Sequence, residues 1–297
     1  MTVVISKLLP LRQTGQYGAT RPCWRCAILK HMFRVGMLAG ICIILAPVFG
    51  QDLHITVRSR VQPFKNSPES VAVDVPATFP IQQTAIVICD MWDHHWCKGA
   101  EGRVGVLARK MAPVLEQARA AGIQVIHAPS EVMDFYKDYP QRRAMLALVK
   151  VDPPTPLSLT DPPLPIDDSK GGCDTPESFY KAWTRETPLI PIAPEDRISD
   201  NGPEIYSFLE KKGIRNLLVV GVHANFCILN RSFAIKQMTK WGVRCVLVRD
   251  LTDAMYNPAD RPYVSHERGT ELVIEHIEKY WAPTMTSGQL MTALGGH

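Results

Sequence analysis

The sequence predicts an α/β protein built on a mainly parallel sheet with helices on both faces. Two observations carry that prediction. Short, continuous apolar runs of the kind found in strands buried on both faces alternate with segments of helical periodicity. Those runs also end in polar residues, as strands do where an open parallel sheet turns its carboxyl edge toward a ligand. The 297 residues, 46% apolar and 21% charged, are enough to bury a sizeable core around such a sheet.

The first 50 residues stand apart from this plan. They contain no Asp or Glu, carry Lys7, Arg12, Arg21, Arg25, Lys30 and Arg34, and lead into the apolar run 35–48. That run is shorter than the ~20 residues a spanning helix needs, and the small residue Gly50 precedes Gln51. Residues 1–50 therefore read as a signal peptide, with Met32 as an alternative start and a membrane anchor as the competing reading. Secretion or delivery to a periplasm is expected, without stable membrane insertion after cleavage. Outside the leader 27 basic residues face 29 acidic ones, so the net charge of +4 gives no support for a nucleic-acid partner.

Residues 51–83 form an N-terminal extension, in which LHITVRSRV (53–61) alternates apolar and polar residues as a half-buried strand does. The main domain, 84–297, opens with the apolar strand TAIVICD (84–90). A helix follows, with Val104, Leu107, Met111, Val114 or Leu115, and Ala118 at helical spacing and Gly122 as its stop. IQVIHAPS (123–130) is the second strand of this domain. Residues 150–200, rich in Pro, Asp and Gly, read as a long surface insertion. Order returns with the helix GPEIYSFLEKKG (202–213), the strand IRNLLVVGV (214–222), a helix from 226 to 241, the strand VRCVLVRD (243–250) and a last helix around 269–281.

Five of the eight cysteines lie beyond the leader: Cys89, Cys97, Cys173, Cys227 and Cys245. An odd number in an exported chain leaves a thiol free or paired between chains. Cys89 and Cys245 sit in apolar strands and are expected to be buried, while Cys97 and Cys173 lie in loops where an oxidising compartment permits a disulfide. Cys227 follows a strand, in the first turn of the next helix, with Asn225 as its expected N-cap. Unpaired N–H groups there would depress the thiol pKa and hold an oxyanion. The competing reading is a buried structural cysteine.

Other strand ends bring Asp90, Asp93, His94, His127 and Asp250 toward the same edge. A strand-end Asp also serves as a turn or cap, and a His there as a satisfied core residue. Asp93, His94, His95, His127 and Glu131 are donor types suited to a divalent metal such as zinc, although adjacent histidines commonly point apart. His266, after a strand-end loop, lies either at the mouth of the site or in solvent.

AIVICDMWD, LEKKGIRNLLVVGVHANFCILNRSFA and GVRCVLVRDLTDA together resemble the isochorismatase-like cysteine hydrolase superfamily, which includes nicotinamidases and N-carbamoyl amide hydrolases. The resemblance runs from Thr84 to the last helix and fades across 150–200. It implies a three-layer αβα fold with a mainly parallel six-stranded sheet, to which the N-terminal strand is an addition. It also implies an Asp–Lys–Cys triad, with Asp90 as general base and Cys227 as nucleophile. A non-proline cis peptide is implied between Val222 and His223, aiming the N–H groups of His223 and Cys227 at the oxyanion. The family lysine should fall near 193–196, where IAPEDR offers Glu195 and Asp196 instead, so either another cation such as Arg197 or Lys98 folds in, or the chemistry is altered, or the site is a binding relic. The metal pattern of nicotinamidases does not carry over to HAPSEVMD.

The expected activity is hydrolysis of a small amide, imide or ureido compound with no organic cofactor, in a chain that can form a homo-oligomer. Asp93, His94, His127, Glu195, Asn225 and His266 are expected to line the site. The missing lysine motivates an alternative, a non-catalytic binding protein on the same fold. A third reading is thiol-independent hydrolysis of an enol ether of the isochorismate type.

Overall fold

The computed structural model describes residues 52–65, 67 and 69–295. The chain divides after Pro47, and all described residues belong to the second unit. The leader, the Met32 start, the cleavage after Gly50 and Cys23, Cys26 and Cys42 lie outside the described residues. Among the described residues, no helix is long and apolar enough to cross a membrane.

The strands are β1 (Asp52–Val61), β2 (Val71–Pro80), β3 (Thr84–Cys89), β4 (Gln124–Ala128), β5 (Arg197–Ile198), β6 (Asn216–Val222), β7 (Arg244–Asp253) and β8 (Thr284–Met285). The helices are α1 (Lys98–Ala120), α2 (Met133–Tyr136), α3 (Pro140–Leu146), α4 (Gly202–Lys212), α5 (Cys227–Asn230), α6 (Ile235–Lys240), α7 (His266–Tyr280) and α8 (Ser287–Gly295). One sheet runs in the order β2-β1-β8-β7-β6-β3-β4-β5. Its six strands from β8 to β5 are parallel, and β1 and β2 add an antiparallel hairpin at the β8 edge. The expected α/β fold with a six-stranded parallel core and an N-terminal extension is therefore present, in an eight-stranded sheet.

The apolar runs account for the layers. In β3, Ala85, Val87 and Cys89 face one core, with Ile205 and Phe208 of α4 and Val273 of α7, while Ile86 and Ile88 face the other, with Met111 of α1 and Leu290 of α8. All six residues of β3 and all seven of β6 are buried. Continuous hydrophobicity is what a strand covered on both sides requires.

The extension holds more than the one expected strand. β2, with Pro76 and Pro80, pairs along the full length of β1 as the sheet's outer strand, a position where the missing proline N–H costs no ladder bond. The helix expected over 226–241 is two short helices, because Arg231 adopts an extended backbone (φ −62°, ψ 149°) and ends α5. Asn230 Nδ2 donates to the Phe226 and Asn225 carbonyls at that break.

Candidate active site

β3, β4 and β6 end side by side, and three short segments after them make the site. Asp90 directly follows β3 and is fully buried, with φ 47°, a left-handed conformation that Asp tolerates better than most residues. Its Oδ1 accepts the Ser130 N–H at 2.7 Å, and its Oδ2 accepts from Arg231 Nε at 3.0 Å. β6 reaches Cys227 through Gly221, whose φ of 108° and contact with the Cys89 carbonyl leave no room for a Cβ. The Val222–His223 peptide is cis, as the resemblance implied. Phe226 and Ile228 donate to the His223 carbonyl. The His223 backbone N–H favours the Cys227 thiolate.

The cation is Arg231. It is four residues beyond Cys227, and its guanidinium joins Asp90 to Glu131, whose Oε1 accepts from Nη2 at 3.0 Å. Neither alternative named from the sequence fills this role. Arg197 donates to the Glu195 and Asp196 carbonyls and lies over the Phe208 ring. Lys98 pairs with Glu101 at the surface. At the place of the family lysine, Glu195 is exposed, and Asp196 is engaged by Arg119 and by His127 Nε2.

Burial pushes the Cys227 thiol pKa up, and the neighbouring Asp90 adds to the rise, while Arg231 and the His223 N–H act in the opposite direction. The depressed pKa expected from a helix N-terminus is therefore corrected. α5 is only one turn long and has no side-chain cap, so its dipole is small beside the cost of desolvating a thiolate. Asn225 is not that cap: it holds Asp168 and the Met255 backbone. Burial also raises the Asp90 pKa, against the pull of Arg231 and of the thiol hydrogen bond. Cys227 therefore rests as a neutral thiol near Asp90, which Arg231 pairs through Oδ2.

A cavity of about 330 Å³ opens over Cys227. Its walls include Trp92, Trp96, Phe179, Trp183, His95 and His223, with Arg231 and Glu131 among the lining residues. Phe179 and Trp183 come from the insertion, which is stapled to the start of α1 by a Cys97–Cys173 disulfide. Cys89, Cys227 and Cys245 are free.

Several expected lining residues stand behind these walls. Asp93 is held by Thr184, and His94 is exposed beside Glu101. The histidine of that pair at the cavity is His95, kept neutral by burial. His127 is buried between Glu186 at 2.6 Å and Asp196 at 2.9 Å. His266 bonds Asp253 and the Tyr256 carbonyl, and Asp250 ties Lys110 to the start of α8. The metal donors do not converge. Among the described residues the single cluster with suitable spacing is Cys97, Cys173 and Glu177, and the disulfide consumes both of its sulfurs. Neither the aromatic walls nor the role of Arg231 gave a sequence signal, since Arg231 leaves the helix in an extended backbone.

No family profile matches the chain. Against curated proteins it is 33% identical over 97 residues to the 3-isopropylmalate dehydratase small subunit of Parvibaculum lavamentivorans, covering 32% of this chain and 48% of that one. The chain thus spans about half the length of the curated relative it matches. Among solved structures it is similar to a cysteine hydrolase from Pseudomonas syringae pv. phaseolicola, at 16% identity over 73% of this chain and 95% of that one, with a TM-score of 0.50. It is also similar to an isochorismatase family protein from Burkholderia thailandensis, at 16% identity over 72% and 96% of the two chains, TM-score 0.42. An isochorismatase-like hydrolase from Alkaliphilus metalliredigens gives 13% identity over 72% and 97%, TM-score 0.43. The strand order, the helices on both faces and the likeness to the Pseudomonas structure give the chain the isochorismatase-like fold.

Proposed function

We propose that the protein is an exported hydrolase of a small amide, imide or ureido compound, with Cys227 as nucleophile, Asp90 as acid and base, and Arg231 in the place of the family lysine. The observation that carries this reading is the buried Asp90 carboxylate, held by the Ser130 N–H and Arg231 beside Cys227, whose thiol pKa it raises. Asp90 takes the thiol proton as Cys227 Sγ attacks the carbonyl carbon, so charge separates only as the bond forms. The N–H groups of His223 and Cys227 hold the oxyanion. Collapse expels the amine, which leaves with the Asp90 proton. Water then gives a proton to Asp90 as its oxygen attacks the thioester carbon; collapse breaks the C–S bond and releases the acid, and the departing sulfur takes the proton back from Asp90, restoring thiol and carboxylate. The cycle needs no organic cofactor.

Arg231 keeps Asp90 ionised in its buried place and offsets the charge of a nascent thiolate. It thereby supplies the cation whose absence from 193–196 motivated the binding-protein reading. Export is supported by the acid-free leader and by the Cys97–Cys173 disulfide, a bond rare in reducing compartments. Incubation of the mature chain with a panel of amides and ureides, followed by intact mass measurement, tests the chemistry. An acyl adduct that disappears in Cys227→Ala supports it. Undiminished turnover by Cys227→Ala would replace it with a thiol-independent hydrolysis.

A further inference from the structure

We propose that the Cys97–Cys173 bond is exchangeable: an external dithiol enters a cleft at Cys173, opens the bond there, and so releases the part of the cavity wall that the insertion supplies. The inference does not depend on what the cavity binds or hydrolyses.

Access is the first observation. A second cleft, of about 340 Å³, is lined by Cys173, Trp96, Lys170, Glu177, Asn257 and Asp260 among others. Cys173 is half-buried there, whereas Cys97 is completely buried. An incoming thiolate therefore reaches one sulfur of the pair and not the other, and which sulfur is attacked decides which one leaves. The two carboxylates of the cleft are each engaged, Glu177 by the Lys98 N–H and Asp260 by Lys170.

The leaving sulfur is the second observation. Cys97 stands at the N-terminus of the 23-residue α1, an end with no capping side chain of its own. A thiolate formed at Cys97 meets the positive end of that helix. Thr175 Oγ1 lies 3.3 Å from both sulfurs and already accepts the Gly99 N–H at 3.2 Å. Its own proton is left to donate to whichever sulfur carries the charge. Asp174 Oδ1, 3.5 Å from Cys97 Sγ, opposes this, but Arg103 holds both oxygens of that carboxylate.

The exchange balances in two steps. The first thiolate of the donor bonds Cys173 Sγ as the Cys97–Cys173 bond breaks, and its electron pair goes to Cys97 Sγ, which takes up a proton. The second thiolate of the donor then attacks its own mixed-disulfide sulfur, freeing Cys173 as a thiol and leaving the donor as a disulfide. Two electrons pass from donor to protein. Asn257 Nδ2 still holds the Cys173 carbonyl at 2.8 Å and Arg103 still holds Asp174, so the two sulfurs stay in reach of each other and the bond can re-form. The wall is less secure: Trp96 directly precedes Cys97, and Phe179, which meets it edge-on, is exposed on the insertion beyond Cys173.

The oxidised mature chain is mixed with reduced glutathione, quenched with acid at the earliest times, and mapped by peptide mass. Glutathione is expected on Cys173 over Cys97 by about tenfold or more. Equal labelling of the two sulfurs, or opening no faster than global unfolding after a denaturant jump, overturns exchange at Cys173. Thr175→Val is expected to slow opening by about tenfold, the worth of one hydrogen bond to a charged sulfur, and Thr175→Ser to restore it. Equal rates in all three proteins overturn the proton's part. Chymotrypsin should cut after Phe179 or Tyr180 about tenfold faster in the parent chain once it is reduced by dithiothreitol, and return to oxidised glutathione should restore the slow rate. Cutting unchanged by reduction overturns the release of the wall.

Discussion

At the scale of single residues, Asp90 has opposed effects on the thiol, and they are separable by experiment. Its charge raises the thiol pKa, while in the proposed mechanism it accepts the thiol proton. The parent thiol, with its raised pKa, is expected to alkylate slowly, and Asp90→Asn to speed alkylation of Cys227 by iodoacetamide near neutral pH. The same change should lower turnover by about 10²–10⁴-fold, the usual range for a lost general base. Parallel rates of alkylation and hydrolysis across the variant and parent would show that Asp90 acts only as a charge. Arg231→Ala leaves Asp90 without its cation. Breaking a fully buried pair costs about 3–5 kcal/mol, and the guanidinium, 29% exposed, should lose less. Denaturant titration reads the loss, and Arg231→Lys should recover part of both stability and rate. That Cys227 and Asp90 face each other could be expected from the sequence, since both follow apolar strands in a parallel sheet. That Arg231 joins them could not, because the helix predicted through 226–241 hid the extended residue that lets the side chain turn back.

At the scale of elements, the insertion is held against β4 by a buried ionic knot. Glu186, three residues after Trp183, meets His127 on β4, whose other nitrogen meets Asp196 ahead of β5, with Arg119 of α1 completing the set. Between its two carboxylates the His127 pKa rises from 6.5 to about 9, against the penalty of burial. A histidine with a raised folded-state pKa contributes its full stabilisation below the unfolded value near 6.5 and loses it as pH climbs through 9. A shift of this size corresponds to roughly 3 kcal/mol. Stability is expected to fall between pH 6.5 and 9 in the parent chain, and the fall should shrink in His127→Gln. An unchanged slope would remove His127 as its cause. The Asp196 pKa is lowered instead, so its contribution disappears on the acid side. The strand-end position of His127 was legible, but its partners come from residues 186 and 196, inside an insertion where no periodicity fixes what touches what.

At the scale of the whole molecule, two constructions meet. The parallel sheet and its covering helices were readable from apolar runs and stop signals such as Gly122 and Gly213, because burial on both faces leaves a strand little choice of residues. The insertion lacks such constraint, and its place over the site is held by long-range bonds. The Cys97–Cys173 disulfide is one of these, closing a separation of 76 residues. Replacing both cysteines with serine should destabilise the chain by about 2–4 kcal/mol, read as a lowered Tm, and a reducing agent should lower the Tm of the parent but not of the double variant. Equal response of the two proteins to reductant would mean that the bond does not form in solution. Arg103 adds a second tie, joining Asp174 of the insertion to Asp253 at the end of β7.

The position of Arg231 has a consequence for ancestry. Under the proposed mechanism sulfur, oxyanion donors and cation are all carried between Gly221 and Arg231, so the segment ahead of β5 would need no lysine. Chains of this fold that carry arginine four places after the nucleophile should therefore tolerate acidic or neutral residues at the vacated position. Those retaining the lysine should show no preference for arginine at the later one. The two positions would then form a reciprocal signature by which lineages of this fold can be sorted from sequence before any substrate is known.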